Sequence, residues 1–303
     1  MVSYNGLLAA LKRRGLTKSD LIRAVGLSSR TVAKIGRGEK LSEAVLARIA
    51  RFLDQPTATL AEPVADNPLL QALREEKRIG LSGGLYHELQ ILLTYNSNHI
   101  EGSRLSERQT RMIFETHTVD TGEGIPIDDI IETVNHFRAV DYVLDIAEER
   151  LTEDHIKAIH RLLKQNTKDA ALPWFAVGEY KKRPNVVGGL ETARPGEVPE
   201  RMRALIATYR TLPAVTIEDI VAFLYQFERI HPFQDGNGRV GRLIAFKECL
   251  RFRIVPFLIE DAKKFYYYRG LARWEEQKGY LIDTCLDGQD TFRRLMAAFD
   301  VPE

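Results

Sequence analysis

Apolar residues in this chain recur three and four positions apart almost from end to end, and alternate two apart almost nowhere. That period puts side chains on one stripe of an α-helix and leaves little for a sheet. The helical pattern covers 85–96, 106–116, 127–148, 152–165, 198–211, 216–230, 239–252 and 262–278, and strand signal is confined to Tyr180–Val187. The expected fold class is therefore all-α. Four shorter helical segments lie between Tyr4 and Leu53, and Pro56, Pro63 and Pro68 then interrupt the chain. This spacing predicts a head at 1–55, a linker with a short helix over 56–80 that runs from Asn67-Pro68 to Ile79, and a body at 81–303.

Charge separates the same two parts. Residues 1–55 carry 11 Lys and Arg against 4 Asp and Glu, whereas the remainder carries 32 against 38. A head of +7 on a body of −6 is invisible in the overall +1 and points to a nucleic-acid partner for the head. No apolar run approaches the ~18 residues of a membrane span, and Cys249 and Cys285 form no metal or redox spacing, so no membrane role and a reducing cytoplasm are expected.

Within the head, Thr17 opens a helix that Gly26 ends, and Ser28 or Ser29 opens the next. A helix, a glycine turn and a helix starting with small polar residues make a helix-turn-helix pattern. The segment TKSDLIRAVGLSSRTVAKIGRGEKLSEAVLARIARFL resembles the Xre/Cro-type DNA-binding domains. That resemblance implies DNA contact through Ser29, Arg30, Lys34 and Arg37, with Arg30 suited to a base edge and Lys34 and Arg37 to phosphates. Reading a palindrome would favour a homodimer.

The body's most informative stretch is HPFQDGNGRVGR, 231–242. Its glycines satisfy G-x-G-x-x-G, yet the segment before them (Ile217, Ile220, Val221, Leu224, Phe227, Ile230) is helix-periodic, and a dinucleotide fingerprint needs a strand there. No G-K-[ST] follows, so a Walker loop is excluded as well. What remains is helix, tight loop, helix. Gly236-Asn237-Gly238 lets backbone N–H groups approach a polyphosphate at a helix N-terminus. Arg239 and Arg242, three apart, suit outer phosphates, Asp235 suits Mg²⁺, and His231 suits a general base.

The same twelve residues match H-x-F-x-[DE]-G-N-G-R-x-x-R at every specified position, and the body resembles the Fic (Fido) family. The resemblance implies a Fic-type helical bundle with a small β-hairpin flap. It implies protein adenylyltransferase activity: AMP moves from ATP, the co-substrate, to a Ser, Thr or Tyr hydroxyl of a target protein, this chain itself included, with Mg²⁺ as cofactor. His231 would deprotonate the hydroxyl, Phe233 would anchor the loop and Asp235 would hold the metal. Gly236, Asn237 and Gly238 would stabilise phosphate charge, and Arg239 and Arg242 would bind the β- and γ-phosphates. GEYKKRPNVVGG, 178–189, resembles the family's flap, with Tyr180, Val186 and Val187 toward the target; Asn185 stands where an apolar residue is common. Tyr268 resembles an adenine contact, with Tyr267 beside it read equally as core. SNHIEG, 97–102, resembles the family's inhibitory motif on a helix of about 85–102: Glu101, with Ser97 one turn earlier, would pair with Arg242 and exclude productive ATP. In this architecture the same glutamate can also support AMP removal. The alternative is a DNA-binding regulator whose Fic domain senses nucleotide or partner with little turnover; intact His231 and GNGR favour the enzyme. The remaining histidines, His87, His155 and His160, are expected in solvated or capping roles.

Overall fold

The computed structural model describes residues 2–36, 38–63, 67–120, 124–187 and 190–303; Arg37, Gly188 and Gly189 lie outside them. The chain divides into two compact units, Met1–Asn67 and Pro68–Glu303.

The first unit holds β1 (Val2–Ser3), α1 (Asn5–Arg13), α2 (Lys18–Val25), α3 (Ser29–Gly36), α4 (Glu43–Leu53), α5 (Thr57–Leu60) and β2 (Glu62–Pro63), the two strands pairing antiparallel. Side chains from every helix close one core, centred on Leu7, Leu21, Ile49 and Leu53. The caps follow the sequence: Thr17 N–H donates to Asp20 at 2.7 Å, Ser28 Oγ accepts from Thr31 N–H at 3.1 Å, and Ser42 Oγ accepts from Val45 N–H. The unit extends past residue 55 because α5 packs Leu60 into that core beside α1, so closely that a Cβ on Gly6 would lie 1.7 Å from the Thr59 carbonyl oxygen.

The second unit comprises α6 (Pro68–Ile79), α7 (Leu85–Ile100), α8 (Glu107–Thr116), α9 (Ile127–Asp145), α10 (Glu153–Lys164), a hairpin of β3 (Val186–Val187) and β4 (Leu190–Glu191), then α11 (Val198–Arg210), α12 (Ile217–Ile230), α13 (Asn237–Phe252), α14 (Lys264–Ala272) and α15 (Gly279–Ala298). α13 is the axis of the bundle. Every residue from Asn237 to Leu250 on it is buried, as expected of a helix enclosed on all sides. α12 packs directly against it, and a Cβ on Gly241 would reach Leu224 at 2.8 Å. Buried Phe227, Phe233, Val240, Leu243 and Phe292 belong to the same core, each contributing on the order of 2 kcal/mol on leaving water.

Besides β1, β2 and α5 in the first unit, the structure departs from the expected elements in three places in the second. Strand at Tyr180–Val187 shrinks to Val186–Val187, because Lys181 turns its side chain inward and Pro184 has no N–H for a ladder. The helix expected over 262–278 ends at Ala272. A twenty-residue helix, α15, follows where none was expected. Its buried stripe runs through Leu281, Cys285, Gly288, Phe292 and Met296, and Gly288, which weakens the apolar signal, is where Leu258 comes within 2.8 Å of a notional Cβ. Among the described residues no helix is long and apolar enough to cross a membrane.

Candidate active site

The loop between α12 and α13 is built by two conformational demands. His231 caps α12 in the left-handed region (φ 52°), and Gly236 caps α13 at φ 77°, a conformation glycine adopts without a Cβ penalty. Phe233, fully buried, stacks on the His160 ring with centroids 3.9 Å apart. The Asn237 side chain closes the turn: its Oδ1 accepts from Phe233 N–H at 2.8 Å and its Nδ2 donates to the Phe233 carbonyl at 3.0 Å. α13 therefore begins at Asn237, two residues before the expected start. Its first amides face a cleft of about 590 Å³ lined by His231, Asp235, Gly236, Asn237, Gly238, Arg242, Glu101, Glu228, Tyr267, Tyr268 and Val187, within the size range of small-ligand sites.

His160 corrects one expectation. It is fully buried, not solvated. Its Nδ1 accepts from Gly178 N–H at 2.9 Å, which leaves the proton on Nε2, 3.2 Å from the Asp235 carbonyl oxygen. The ring thus ties the start of the flap segment to the loop. His87 is also buried and faces Glu115 at 2.8 Å, and His155 lies 3.3 Å from Glu149.

Glu101 caps the C-terminus of α7, where the helix dipole disfavours a carboxylate. Its partner is Arg242: Nη2 donates to Glu101 Oε1 at 2.7 Å and to the Ser97 carbonyl at 2.9 Å, while Nε donates to Ser97 Oγ at 3.0 Å. Glu101 also presses against the first turn of α13. A Cβ on Gly238 would lie 2.1 Å from Glu101 Oε1, so only glycine admits the carboxylate there. Tyr268 Oη donates to the Ile100 carbonyl at 2.8 Å, beside Glu101, and its exposed ring forms part of the cleft wall. Tyr267 is buried in the core.

Three expected roles change. Arg239, three residues from Arg242, does not share its outlook: the guanidinium is buried, donates to Glu132 and stays off the cleft wall, because that side of α13 faces α9. Asn237 spends both ends of its side-chain amide on Phe233, so only its backbone is left for a ligand. Tyr180 anchors the flap instead of presenting to a target, its hydroxyl donating to Glu153 at 2.8 Å and its ring packed on Phe233. Val186 and Val187 are exposed as expected, and Val187 reaches the cleft.

Sequence reading missed the charges beneath the loop. Glu132 on α9 accepts from both Lys164 and Arg239, and Lys164 donates on to Asp235 at 2.6 Å. Burial raises the Asp235 carboxyl, but Lys164 and Arg239 outweigh it and hold the group at about 2. Burial, with the charge of Lys181 added, lowers His231 to about 4, so the imidazole is neutral at physiological pH. Burial raises Glu228 to about 8, reinforced by Glu101 and opposed by Arg242; its Oε2 lies 3.9 Å from His231 Nδ1. The missed groups had a signal. Glu132, His136, Ala139, Val140 and Val143 lie on one helical stripe, as do His160, Leu163 and Lys164, and Val221, Leu224 and Glu228.

The buried histidines predict an acid-sensitive fold. Burial first, and nearby cations second, lower His136 and His160 to about 3. As pH falls below the unfolded value of about 6.5, the unfolded chain takes up protons the fold refuses, costing roughly 2 kcal/mol per histidine between pH 7 and 5. Glu228, shifted upward, works in the opposite sense and returns about as much as one histidine loses. The net loss of about 2 kcal/mol should lower thermal melting by about 4–8 °C over that interval, and a flat melting temperature from pH 7 to 5 would contradict the assignment.

A tight glycine turn leads into a buried helix N-terminus, and a neutral imidazole, an acid and an arginine share one cleft wall of this all-helical unit. The chain carries two recognised domains: residues 150–248 match the Fic/DOC family, and residues 7–66 match the Cro/C1-type HTH DNA-binding domain. Among curated relatives, the protein adenylyltransferase Fic of Aedes aegypti is 28% identical over 187 residues, covering 60% of this chain and 36% of that protein. Protein adenylyltransferase fic-1 of Caenorhabditis elegans is 25% identical over 194 residues, 62% of this chain and 37% of that protein. This chain thus spans little more than a third of these two relatives, and less than half of other curated relatives it matches. Among solved structures, a Fic domain containing signaling protein from Bacteroides thetaiotaomicron superposes with a TM-score of 0.61 at 24% identity, covering 78% of this chain and 96% of that one. A Fic family protein from Desulfovibrio desulfuricans superposes with a TM-score of 0.58 at 22% identity, 78% and 76% covered. These likenesses establish the all-α Fic fold.

Proposed function

We propose that residues 68–303 transfer AMP from ATP to a Ser, Thr or Tyr hydroxyl of a protein, and that Glu101 holds the enzyme inhibited. The observation that carries this reading is the convergence of His231, Asp235, the Gly236–Gly238 backbone and Arg242 on one cleft, with Glu101 seated on the arginine. The curated relatives' names, protein adenylyltransferase, support the reaction class.

The chemistry follows from the groups present. A neutral His231 takes the hydroxyl proton as oxygen bonds to the α-phosphorus; the bond from that phosphorus to the oxygen bridging to the β-phosphate breaks, and pyrophosphate leaves. A triphosphate in the cleft adds negative charge that draws the His231 pKa back up toward neutrality. Amides at the head of α13 meet phosphate oxygens, and Arg242 binds the outermost phosphate once Glu101 is displaced. Asp235 fits a Mg²⁺ role: its carboxylate, partly desolvated by the loop but half open to solvent, lines the cleft, and Mg²⁺ is usually bound through one or two carboxylates plus substrate phosphates. When bound, the metal neutralises charge between phosphates. Glu101 on Arg242 denies the terminal phosphate its anchor and hence the in-line geometry. The test uses Glu101→Gly with ATP labelled in turn at the α- and γ-phosphates: protein should retain the α-label only, with an intact-mass increase of one AMP. Retained γ-label would replace this reading with phosphoryl transfer.

We further infer that the first unit binds DNA. Its third helix presents Ser29 and Arg30 to solvent, with Lys34 half-buried one turn on, on the element such domains place in the major groove. Residues 1–67 should bind duplex DNA with an affinity that falls steeply with salt. Arg30→Ala should cost about 1–3 kcal/mol and relax specificity, and Lys34→Ala should reduce the salt slope by about 1; unchanged binding in both variants would count against groove reading.

A further inference from the structure

Asn185, the residue that breaks the flap's usual apolar pattern, sits at the centre of a polar knot between the flap and the catalytic loop. Its Nδ2 donates to the carbonyls of Phe233 at 3.2 Å and Gln234 at 3.4 Å. Its Oδ1 accepts from Lys181 Nζ at 2.7 Å and from Thr192 Oγ1 at 2.5 Å. Lys181 Nζ donates also to Thr192 Oγ1 at 2.6 Å. Lys181 is 2% exposed and no carboxylate among the described residues pairs with it, so this buried ammonium is satisfied by neutral oxygens. Such a charge is costly to bury; what it secures here is a joint. On either side of the knot the backbone is pinned as well, Lys181 N–H to the Pro232 carbonyl at 2.8 Å and Ala193 N–H to the Ile230 carbonyl at 3.3 Å. The hairpin beyond it, Val186–Val187 with Leu190–Glu191, is a two-stranded ribbon, and such a ribbon is marginal unless fixed at its base.

We propose that Lys181, Asn185 and Thr192 form a positioning device that sets the flap's height and register over the loop bearing His231, so that an extended protein segment added along the hairpin edge delivers its hydroxyl to that histidine. The inference rests on the adenylyltransferase reading and on target binding by strand addition along the flap; what it adds is the joint that holds the flap in place. Asn185 does two jobs in this arrangement. Its oxygen accepts from the lysine, and its amide group ties the knot to the loop.

Asn185→Asp separates them. The aspartate keeps an acceptor for Lys181, and a charged one, but turns a second oxygen toward the Phe233 and Gln234 carbonyls. If the asparagine served only to satisfy the lysine, Asn185→Asp would behave as the parent. In full-length Glu101→Gly protein, Asn185→Asp and Asn185→Ala should each lower self-labelling from α-labelled ATP by about 100-fold, the cost of misplacing a reacting group by about 1 Å. The affinity for MgATP, read by titration calorimetry, should stay within about twofold. Thr192→Val should lose labelling and Thr192→Ser should regain it. Hydrogen exchange without nucleotide gives a readout independent of activity: the Lys181 and Ala193 amides should exchange at least about tenfold faster in Asn185→Asp, the α12 and α13 amides unchanged. Asn185→Asp with parental labelling, or with parental exchange at Lys181 and Ala193, overturns the proposal. A Glu101→Gly parent that takes no label condemns the adenylyltransferase reading instead, and the exchange result then decides the joint alone.

Discussion

Glu101→Gly should raise incorporation of α-labelled AMP into protein by about 100-fold, and His231→Ala added to it should abolish the gain. The magnitude comes from the Glu101–Arg242 contact. Close charge pairs withdrawn from water couple by roughly 1.5–7 kcal/mol, and releasing about 3 kcal/mol of it to the reaction is worth about two orders of magnitude in rate. Arg242 is only 6% exposed, so the glutamate leaves behind a nearly buried guanidinium with Ser97 as its remaining hydrogen-bond partner. The variant should accordingly melt below the parent in the absence of nucleotide and recover with MgATP, since a ligand that binds only the fold stabilises it in proportion to its saturation. The parent, whose arginine is already occupied, should respond less. Equal labelling in parent and variant would sink the inhibitory role, and equal MgATP-induced stabilisation would show that Glu101 does not compete for the arginine.

That contact was open to a reader of the sequence because both halves are local. Ser97 and Glu101 are one turn apart on a helix ended by Gly102, and His231 to Arg242 is a single loop and turn. The all-α class was open for a related reason, since a stripe of apolar residues states its own period. Roles that depend on how a side chain is rotated within a helix were not. Arg239 and Arg242 look equivalent three residues apart, yet α9 stands against one and the cleft against the other. Asn237 and Tyr180 match a motif whose letters carry no hydrogen-bond partners, and the partners decided their roles. The buried charges were legible in principle. A Glu or Lys continuing an apolar stripe must be paired, hydrogen-bonded or neutralised inside, but the sequence does not say which of these occurs or which helix supplies the partner.

Glu132 is where that omission has the largest consequence for stability. It is the shared acceptor for Lys164 and Arg239, which are 2% and 4% exposed, and it remains ionised because those cations outweigh the burial that would raise its carboxyl. Replacing one member of such a buried set leaves uncompensated charge, at a cost of about 3–5 kcal/mol. Glu132→Ala strands two cations, with Asp235 the carboxylate left to both: Lys164 donates to it at 2.6 Å and Arg239 lies 3.7 Å away. The variant should therefore unfold about 6–20 °C below the parent, and what folds should hold Asp235 more tightly on Lys164 and so bind MgATP more weakly. Glu132→Gln separates geometry from charge, because the amide keeps one acceptor oxygen but no negative charge. It should lose nearly as much stability as alanine if Coulomb attraction dominates, and distinctly less if the hydrogen bonds do. A Glu132→Ala protein that melts within 2 °C of the parent would mean that water or a shifted Asp235 compensates both cations, and the buried triad would not be what fixes α9 against the catalytic helix.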